Sequence, residues 1–134
     1  MLELALVADA SSLAEMADAV EGYAVSAGVP PERAMRLVLV LDEILTNVIS
    51  YGALSADDRI LVTVDCRGDA LVATVEDPGP AFDPHGEAPS PVLTGSVDER
   101  PVGGLGLHIV RGMTRQLAYE RRDGRNRLTM ELAP

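Results

Sequence analysis

The chain has 134 residues, of which 47% are hydrophobic and 3% aromatic, so we expect one domain with an aliphatic core. The formal net charge of -10 and the absence of Trp argue against nucleic-acid binding and against docking on anionic membranes. The single Cys66 excludes an internal disulfide and a multi-cysteine zinc site, and an N-terminus without a basic segment predicts a cytoplasmic protein without a signal peptide.

The first predicted elements are a strand and an amphipathic helix. Residues 2–8 form the strand, and Ser12 begins an S-x-x-E pattern with Glu15 that is typical of a helix start. Apolar residues then recur at helical spacing until Gly28, where we expect the helix to end.

A second helix is predicted from about residue 32 to residue 50, after Pro30 and Pro31 and before Gly52. Apolar residues surround most of it, so we expect it to be buried on more than one side. A polar residue that faces inward from such a helix needs a partner or a ligand.

A hairpin is predicted next. Residues 59–67 and 70–77 alternate apolar and polar side chains on either side of a Gly68-Asp69 turn. The same alternation places Asp77, the last residue of the second strand, on the core face.

The following segment, residues 78–103, has no periodicity and holds six of the nine prolines. A structureless segment of this length in a small domain is usually a functional lid or a disordered stretch. A third helix is predicted over residues 105–115.

A last hairpin pairs residues 117–122 with 126–132, and Asn126 shares the inward face of its second strand. The element order β-α-α-β-β-loop-α-β-β favours an α+β fold. We expect a two-layer sandwich with a mostly antiparallel sheet and helices on one face.

The first motif with chemical potential lies on the second helix. Glu43 and Asn47 are four residues apart and therefore neighbours on one helix face. In a structural interpretation Glu43 pairs with an arginine and Asn47 acts as a cap. In a functional interpretation Glu43 is a general base and the Asn47 side-chain oxygen binds Mg²⁺. The spacing alone favours the structural interpretation.

Two further motifs contain glycine. Asp77-Pro78-Gly79 forms either an ordinary turn or a site where the carboxylate accepts a hydrogen bond from an amine such as that of adenine, with Gly79 allowing close approach of a flat ring. The segment 103–106 (GGLG) is either a hinge or a helix start whose backbone N–H groups bind an anion.

Taken together, four segments resemble the GHKL-type ATP-binding domains in order and spacing: LDEILTNVISYG, VEDPGPAFDP, RPVGGLGLHIVRGM and DGRNRLTMEL. The chain is most similar to the stand-alone bacterial anti-sigma-factor serine/threonine kinases, along nearly its whole length. The resemblance implies the Bergerat or histidine-kinase-like ATPase fold, with residues 1–134 as a single kinase domain and an ATP lid at about 84–103.

The resemblance also implies roles for individual residues. Glu43 would be the catalytic base, and Asn47 would bind Mg²⁺ beside the nucleotide. Asp77 would bind the adenine amine, with Gly79 beneath the ring. Asn126 stands where many members have a Thr that binds adenine through water, and an Asn can still form hydrogen bonds there.

Phosphate contacts would come from the glycine-rich segment. Gly104, Leu105 and Gly106 would bind the phosphates of ATP at the start of the third helix. Arg100 would contact a phosphate or a partner. An equal alternative is that Arg100 is a solvent-exposed arginine of the lid with no such contact.

The implied function is that of an ATP- and Mg²⁺-dependent kinase that phosphorylates a serine of an anti-anti-sigma (STAS-type) partner and sequesters a sigma factor, as a homodimer. One alternative is a non-catalytic, nucleotide-gated binding module, and another is a switch kinase in a signalling complex without a sigma factor. Histidine-kinase activity is not expected, because the only histidines are His85, in the lid, and His108, in the third helix.

Overall fold

The structure, a computed structural model, describes residues 1–81 and 110–133. The helices and strands in these ranges are β1 (Leu2–Val7), α1 (Ser11–Ala27), α2 (Pro31–Tyr51), β2 (Arg59–Arg67), β3 (Ala70–Asp77), β4 (Thr114–Arg122) and β5 (Arg125–Leu132). The strands form one sheet in the order β1-β2-β3-β5-β4, and every neighbouring pair is antiparallel. The predicted α+β fold with an antiparallel sheet is confirmed.

The core lies between the sheet and the two helices and is aliphatic, as the composition predicted. Each strand presents alternate residues to the helices, so that a single face of the sheet is apolar. The largest fully buried side chains are those of Leu6, Met16, Leu37, Leu41, Leu45, Ile60, Met130 and Leu132. Within the described ranges, no helix is long and apolar enough to cross a membrane.

The start of α1 differs from the prediction. The helix begins at Ser11, and Ser12 lies on its buried stripe with Met16, where its hydroxyl has no hydrogen-bond partner among the described residues. The predicted helix start is therefore confirmed to within one residue, whereas the capping role that the S-x-x-E pattern gives Ser12 was wrong. Asp9 holds this end of the helix, because its Oδ1 accepts a hydrogen bond of 2.8 Å from the Ser11 backbone N–H.

The boundary between the third helix and β4 also differs. Residues 110–113 are helical, and β4 begins at Thr114 instead of the predicted residue 117. The Thr114 hydroxyl donates to the Val110 carbonyl oxygen at 2.9 Å, and a bulge between Thr114 and Gln116 starts the strand. The predicted helical residues 105–109 lie outside the described ranges.

The two hairpin turns that position β3 and β5 are as predicted. Gly68 has a φ of 63°, and Asp123 and Gly124 have φ values of 54° and 75°. Positive φ at the first central residue alone, as at Gly68, or at both, as at Asp123 and Gly124, is typical of the two-residue turns whose twist matches that of paired strands. The second turn therefore sets Asn126 opposite Arg121 and next to Asp77 on the other side, which assembles one end of the site.

Candidate functional site

The candidate site is a cavity between the C-terminal half of α2 and the ends of the central strands. Its walls are apolar side chains from both layers: Ile44, Val48, Val75 and Leu128. Its polar lining residues are Asn47, Tyr51, Asp77, Tyr119 and Asn126. Apolar walls with a few placed polar groups are the usual composition of a small-molecule site.

Asp77 is the buried carboxylate of this cavity. It ends β3 on the inward face, as the strand alternation predicted, and only 5% of its surface is exposed. Its Oδ1 accepts two hydrogen bonds, one of 2.8 Å from the Gly79 backbone N–H and one of 3.1 Å from Asn126 Nδ2. Its Oδ2 has no hydrogen-bond partner in residues 1–81 and 110–133, so this oxygen is left to accept a hydrogen bond from a ligand.

Asn126 joins three segments around Asp77. Its Nδ2 donates to Asp77 Oδ1 and, at 2.7 Å, to the Pro80 carbonyl oxygen. Its Oδ1 accepts hydrogen bonds from the Tyr119 hydroxyl at 2.6 Å and from Arg121 Nη1 at 3.1 Å. The side chain thus connects β5, β4 and the segment after β3, and it contacts the predicted adenine-binding residue Asp77 directly.

Asn47 lies on the buried face of α2. Its Nδ2 donates to the Glu43 backbone carbonyl oxygen at 2.9 Å. Its Oδ1 is buried and has no hydrogen-bond partner among the residues described. A buried amide oxygen without a partner is costly, and the usual remedy is a bound cation, water or ligand.

Glu43 lies one turn before Asn47 on the same helix and is half-buried. Within the described ranges its carboxylate forms no hydrogen bond or ion pair, so the arginine partner of the structural interpretation is not found there. Glu43 does not line the cavity itself. A carboxylate that no described residue pairs with is a chemical candidate for a general base.

Gly79 is required by the protein's own packing. A Cβ at this position would lie 2.6 Å from the Gly52 carbonyl oxygen and 2.8 Å from Asp77 Oδ1. The segment after β3 therefore packs directly on the residue that ends α2. This contact gives a reason for glycine that the sequence interpretation, which placed Gly79 against a flat ring, did not include.

The structure brings together three of the predicted site residues and adds others. Asn47, Asp77 and Asn126 line one cavity. The predicted phosphate contacts, Arg100 and residues 104–106, and the lid lie outside the described ranges, as do both histidines. Tyr119 and Arg121 were not predicted, although the alternation of β4 across the Asp123-Gly124 turn places them on the inward face.

A metal site made of protein side chains alone is not found in the described ranges, where no three His, Cys, Asp or Glu side chains cluster. The Asn47 oxygen is nevertheless compatible with a Mg²⁺ site that has few protein ligands. Mg²⁺ usually takes one or two oxygen ligands from the protein and completes its coordination with water and substrate phosphates.

Comparison with known proteins supports the same fold. A family profile described as the histidine kinase-like ATPase domain matches residues 6–132. The serine/threonine-protein kinase BtrW of Bordetella bronchiseptica is 35% identical over 95 residues, which cover 70% of this chain and 66% of BtrW.

Two solved structures show a similar fold at low sequence identity. One contains the RsbU and RsbW domains of a Mycobacterium tuberculosis protein, with a TM-score of 0.69, 15% identity and coverage of 98% of this chain but 31% of that one. The other is the SiaB-SiaC complex of Pseudomonas aeruginosa, with a TM-score of 0.61, 18% identity and coverage of 98% of this chain and 89% of that one.

Proposed function

The chain belongs to the family of histidine kinase-like ATPase domains, and on that premise we propose that it is an ATP-dependent protein serine/threonine kinase. The observation that carries the proposal is Asp77, a buried carboxylate on an apolar cavity with one oxygen free of any hydrogen bond from the described residues. The similarity to BtrW supports the same activity.

The cavity suits adenine for two physical reasons. Its apolar walls match the faces of a flat aromatic ring, and Asp77 Oδ2 is an acceptor for the exocyclic amine. Guanine carries a carbonyl oxygen at the corresponding ring position. Two acceptors would then face each other without a proton between them, so we expect ATP to be preferred over GTP.

Asn47 is the residue that would hold Mg²⁺, because its buried Oδ1 lacks a hydrogen-bond partner in the described ranges. A bound Mg²⁺ would supply positive charge to the phosphates of the nucleotide. The chain has no Lys, so the protein's own positive charges in the site would all be Arg.

Glu43 is the proposed catalytic base. Its half-buried carboxylate has no ion pair with a described residue and lies one helical turn from Asn47. In the proposed reaction Glu43 accepts the proton of a serine hydroxyl on the partner while that oxygen forms a bond to the γ-phosphorus and the bond to ADP breaks.

The proposed partner is a small anti-anti-sigma protein of the STAS type, phosphorylated on serine in a partner-switching pathway in the cytoplasm. We further propose that the chain acts as a homodimer and sequesters a sigma factor when the partner is phosphorylated. The fold shared with the mycobacterial RsbU and RsbW domains and with the SiaB-SiaC complex supports the pathway class.

The test of this function is phosphate transfer from labelled ATP to the STAS-type partner, with ATP affinity measured in parallel. Glu43→Gln should abolish transfer and leave ATP binding intact, because it removes the proton acceptor and keeps the side-chain size. The matched control is Glu32→Gln, which alters an exposed acid in the first turn of the same helix and should leave both unchanged.

Two results would contradict the proposal. If wild-type protein binds ATP and never transfers phosphate, the chain is a nucleotide-gated binding module. If Glu43→Gln transfers phosphate at the wild-type rate, Glu43 is not the base.

A further inference from the structure

Arg121 occupies an unusual place beside the nucleotide cavity. It lies on β4 directly across from Asn126, and a single nitrogen of its guanidinium contacts two separate segments. Nη1 donates to the Gly79 carbonyl oxygen at 2.6 Å and to Asn126 Oδ1 at 3.1 Å. The side chain is exposed over much of its surface, yet both of its acceptors belong to buried residues.

These contacts set the orientation of the Asn126 amide. Oδ1 receives two donors, Tyr119 and Arg121, so Nδ2 is directed to Asp77 Oδ1 and to the carbonyl oxygens of Gly79 and Pro80. In the opposite orientation the amide N–H₂ would face the Arg121 guanidinium, which has no acceptor, whereas the Tyr119 hydroxyl could rotate and accept. The amide oxygen would then face the Asp77 carboxylate and two carbonyl oxygens, so Arg121 and these acceptors select the observed orientation.

The orientation of Asn126 in turn determines what Asp77 can offer a ligand. Asp77 Oδ1 already accepts from Gly79 and Asn126, which leaves Oδ2 as the acceptor open to a ligand within the described part of the site. Arg121 supports both donors to Asp77 Oδ1, because it donates to the Gly79 carbonyl oxygen as well as to the Asn126 side-chain oxygen.

We propose that Arg121 is a positioning residue for nucleotide selectivity: through Asn126 and the Gly79 carbonyl it fixes Asp77 so that Oδ2 accepts the exocyclic amine of adenine. This inference rests on the proposed function, since it assumes that adenine occupies the cavity. Arg121 does not touch the ligand in this account, and its effect is confined to recognition of the amine.

The test is calorimetric titration of the full chain with ATP and with purine riboside 5′-triphosphate, which differs from ATP only by lacking the amine. Arg121→Met should weaken ATP binding by about fivefold, the size expected for a partly exposed charge-assisted hydrogen bond. The affinity for purine riboside 5′-triphosphate should change much less, so the preference for ATP over it falls by nearly the same factor.

Three variants complete the design. Arg122→Met removes the neighbouring arginine, whose side chain is 75% exposed, and should leave both affinities unchanged. Arg121→Lys keeps one nitrogen donor and should retain more of the ATP preference than Arg121→Met. Tyr119→Phe removes the other donor to Asn126 Oδ1 with little change in shape and should also lower the preference, which keeps the test valid if Arg121→Met fails to fold.

The outcomes separate this inference from the proposed function. If wild-type protein binds neither nucleotide, the proposed function fails and the inference fails with it. If wild-type protein prefers ATP and the Arg121 and Tyr119 variants keep that preference, or lose affinity for both nucleotides equally, Arg121 is only structural and the inference alone is overturned.

Discussion

One substitution, glycine to alanine, should have opposite effects on stability at Gly79 and Gly22. At Gly79 the added Cβ would lie 2.6 Å from the Gly52 carbonyl oxygen and 2.8 Å from Asp77 Oδ1. Both distances are well inside the optimum of about 3.5 Å for non-bonded heavy atoms. At Gly22, in α1, no atom outside the helix's own backbone lies within 4 Å of an added Cβ.

The expected magnitudes follow from these contacts. Relief of the clash at Gly79 requires the segment after β3 to move away from the end of α2, at a cost of about 1–3 kcal/mol. With an unfolding entropy of about 0.28 kcal/mol/K for a chain of this length, the melting temperature should fall by about 4–11 °C. Gly22→Ala should instead gain up to about 1 kcal/mol from helix propensity, and the melting temperature should rise by about 3–4 °C.

The assay is thermal and urea unfolding followed by far-UV circular dichroism, with ATP affinity measured on each variant. Gly79→Ala should also weaken ATP binding, because Asp77 Oδ1 lies against the added methyl group. A Gly79→Ala protein as stable as wild type, with unchanged ATP affinity, would refute the inferred contact between Gly79 and Gly52.

Three other changes have expected outcomes. Asn47→Leu should leave the unfolding free energy unchanged or raise it, since it removes a buried oxygen without a described partner, and should abolish the effect of Mg²⁺ on ATP affinity in calorimetry. Ala53→Gly should stabilise the protein by up to about 1 kcal/mol in urea unfolding, because Ala53 has a φ of 50° that glycine adopts without strain. Hydrogen bonds from Ser11 hold the pKa of the Asp9 carboxyl below its usual value. The ionised carboxylate therefore stabilises the fold fully at pH values above the unfolded-state pKa. This stabilisation is lost as the pH falls through the lower folded-state pKa. The stability difference between wild type and Asp9→Ala, measured by urea unfolding across acid pH, should therefore shrink as the pH falls, and a constant difference would contradict this.

The strands and helices were largely predictable because their signals are local. Alternation of period two, with turns at Gly68-Asp69 and Asp123-Gly124, gives the strand pairs β2–β3 and β4–β5 and the inward side chains Asp77 and Asn126. The order of strands in the sheet was not predicted, since it depends on contacts between distant segments.

The errors have physical causes that a local pattern does not contain. Ser12 matched a helix-start pattern, but it lies on the same buried face of α1 as Met16, so its side chain points into the core. Asp9 accepts the hydrogen bond at the helix end instead. Thr114 was predicted within the third helix but is the first residue of β4. The bulge that starts β4 there depends on pairing with β5, which a local pattern does not contain.

The candidate site was predictable in its individual residues and not in its connections. Strand alternation indicated Asp77 and Asn126 but not the hydrogen bond between them. The turn register implied that Arg121 faces Asn126, whereas its second contact, with the Gly79 carbonyl oxygen, joins residues 42 positions apart. The contact between Gly52 and Gly79 is similarly non-local.

The central claim is that Asp77 binds the adenine amine of ATP. Its most direct test is calorimetric titration of ATP into wild type, Asp77→Asn and the control Asp69→Asn, which alters an exposed carboxylate in the β2–β3 turn. We predict that wild type and Asp69→Asn bind ATP with equal affinity and that Asp77→Asn binds it at least about tenfold more weakly, a loss of about 1.4 kcal/mol. Equal affinity of Asp77→Asn and wild type, or no binding by wild type at millimolar ATP, would contradict the claim.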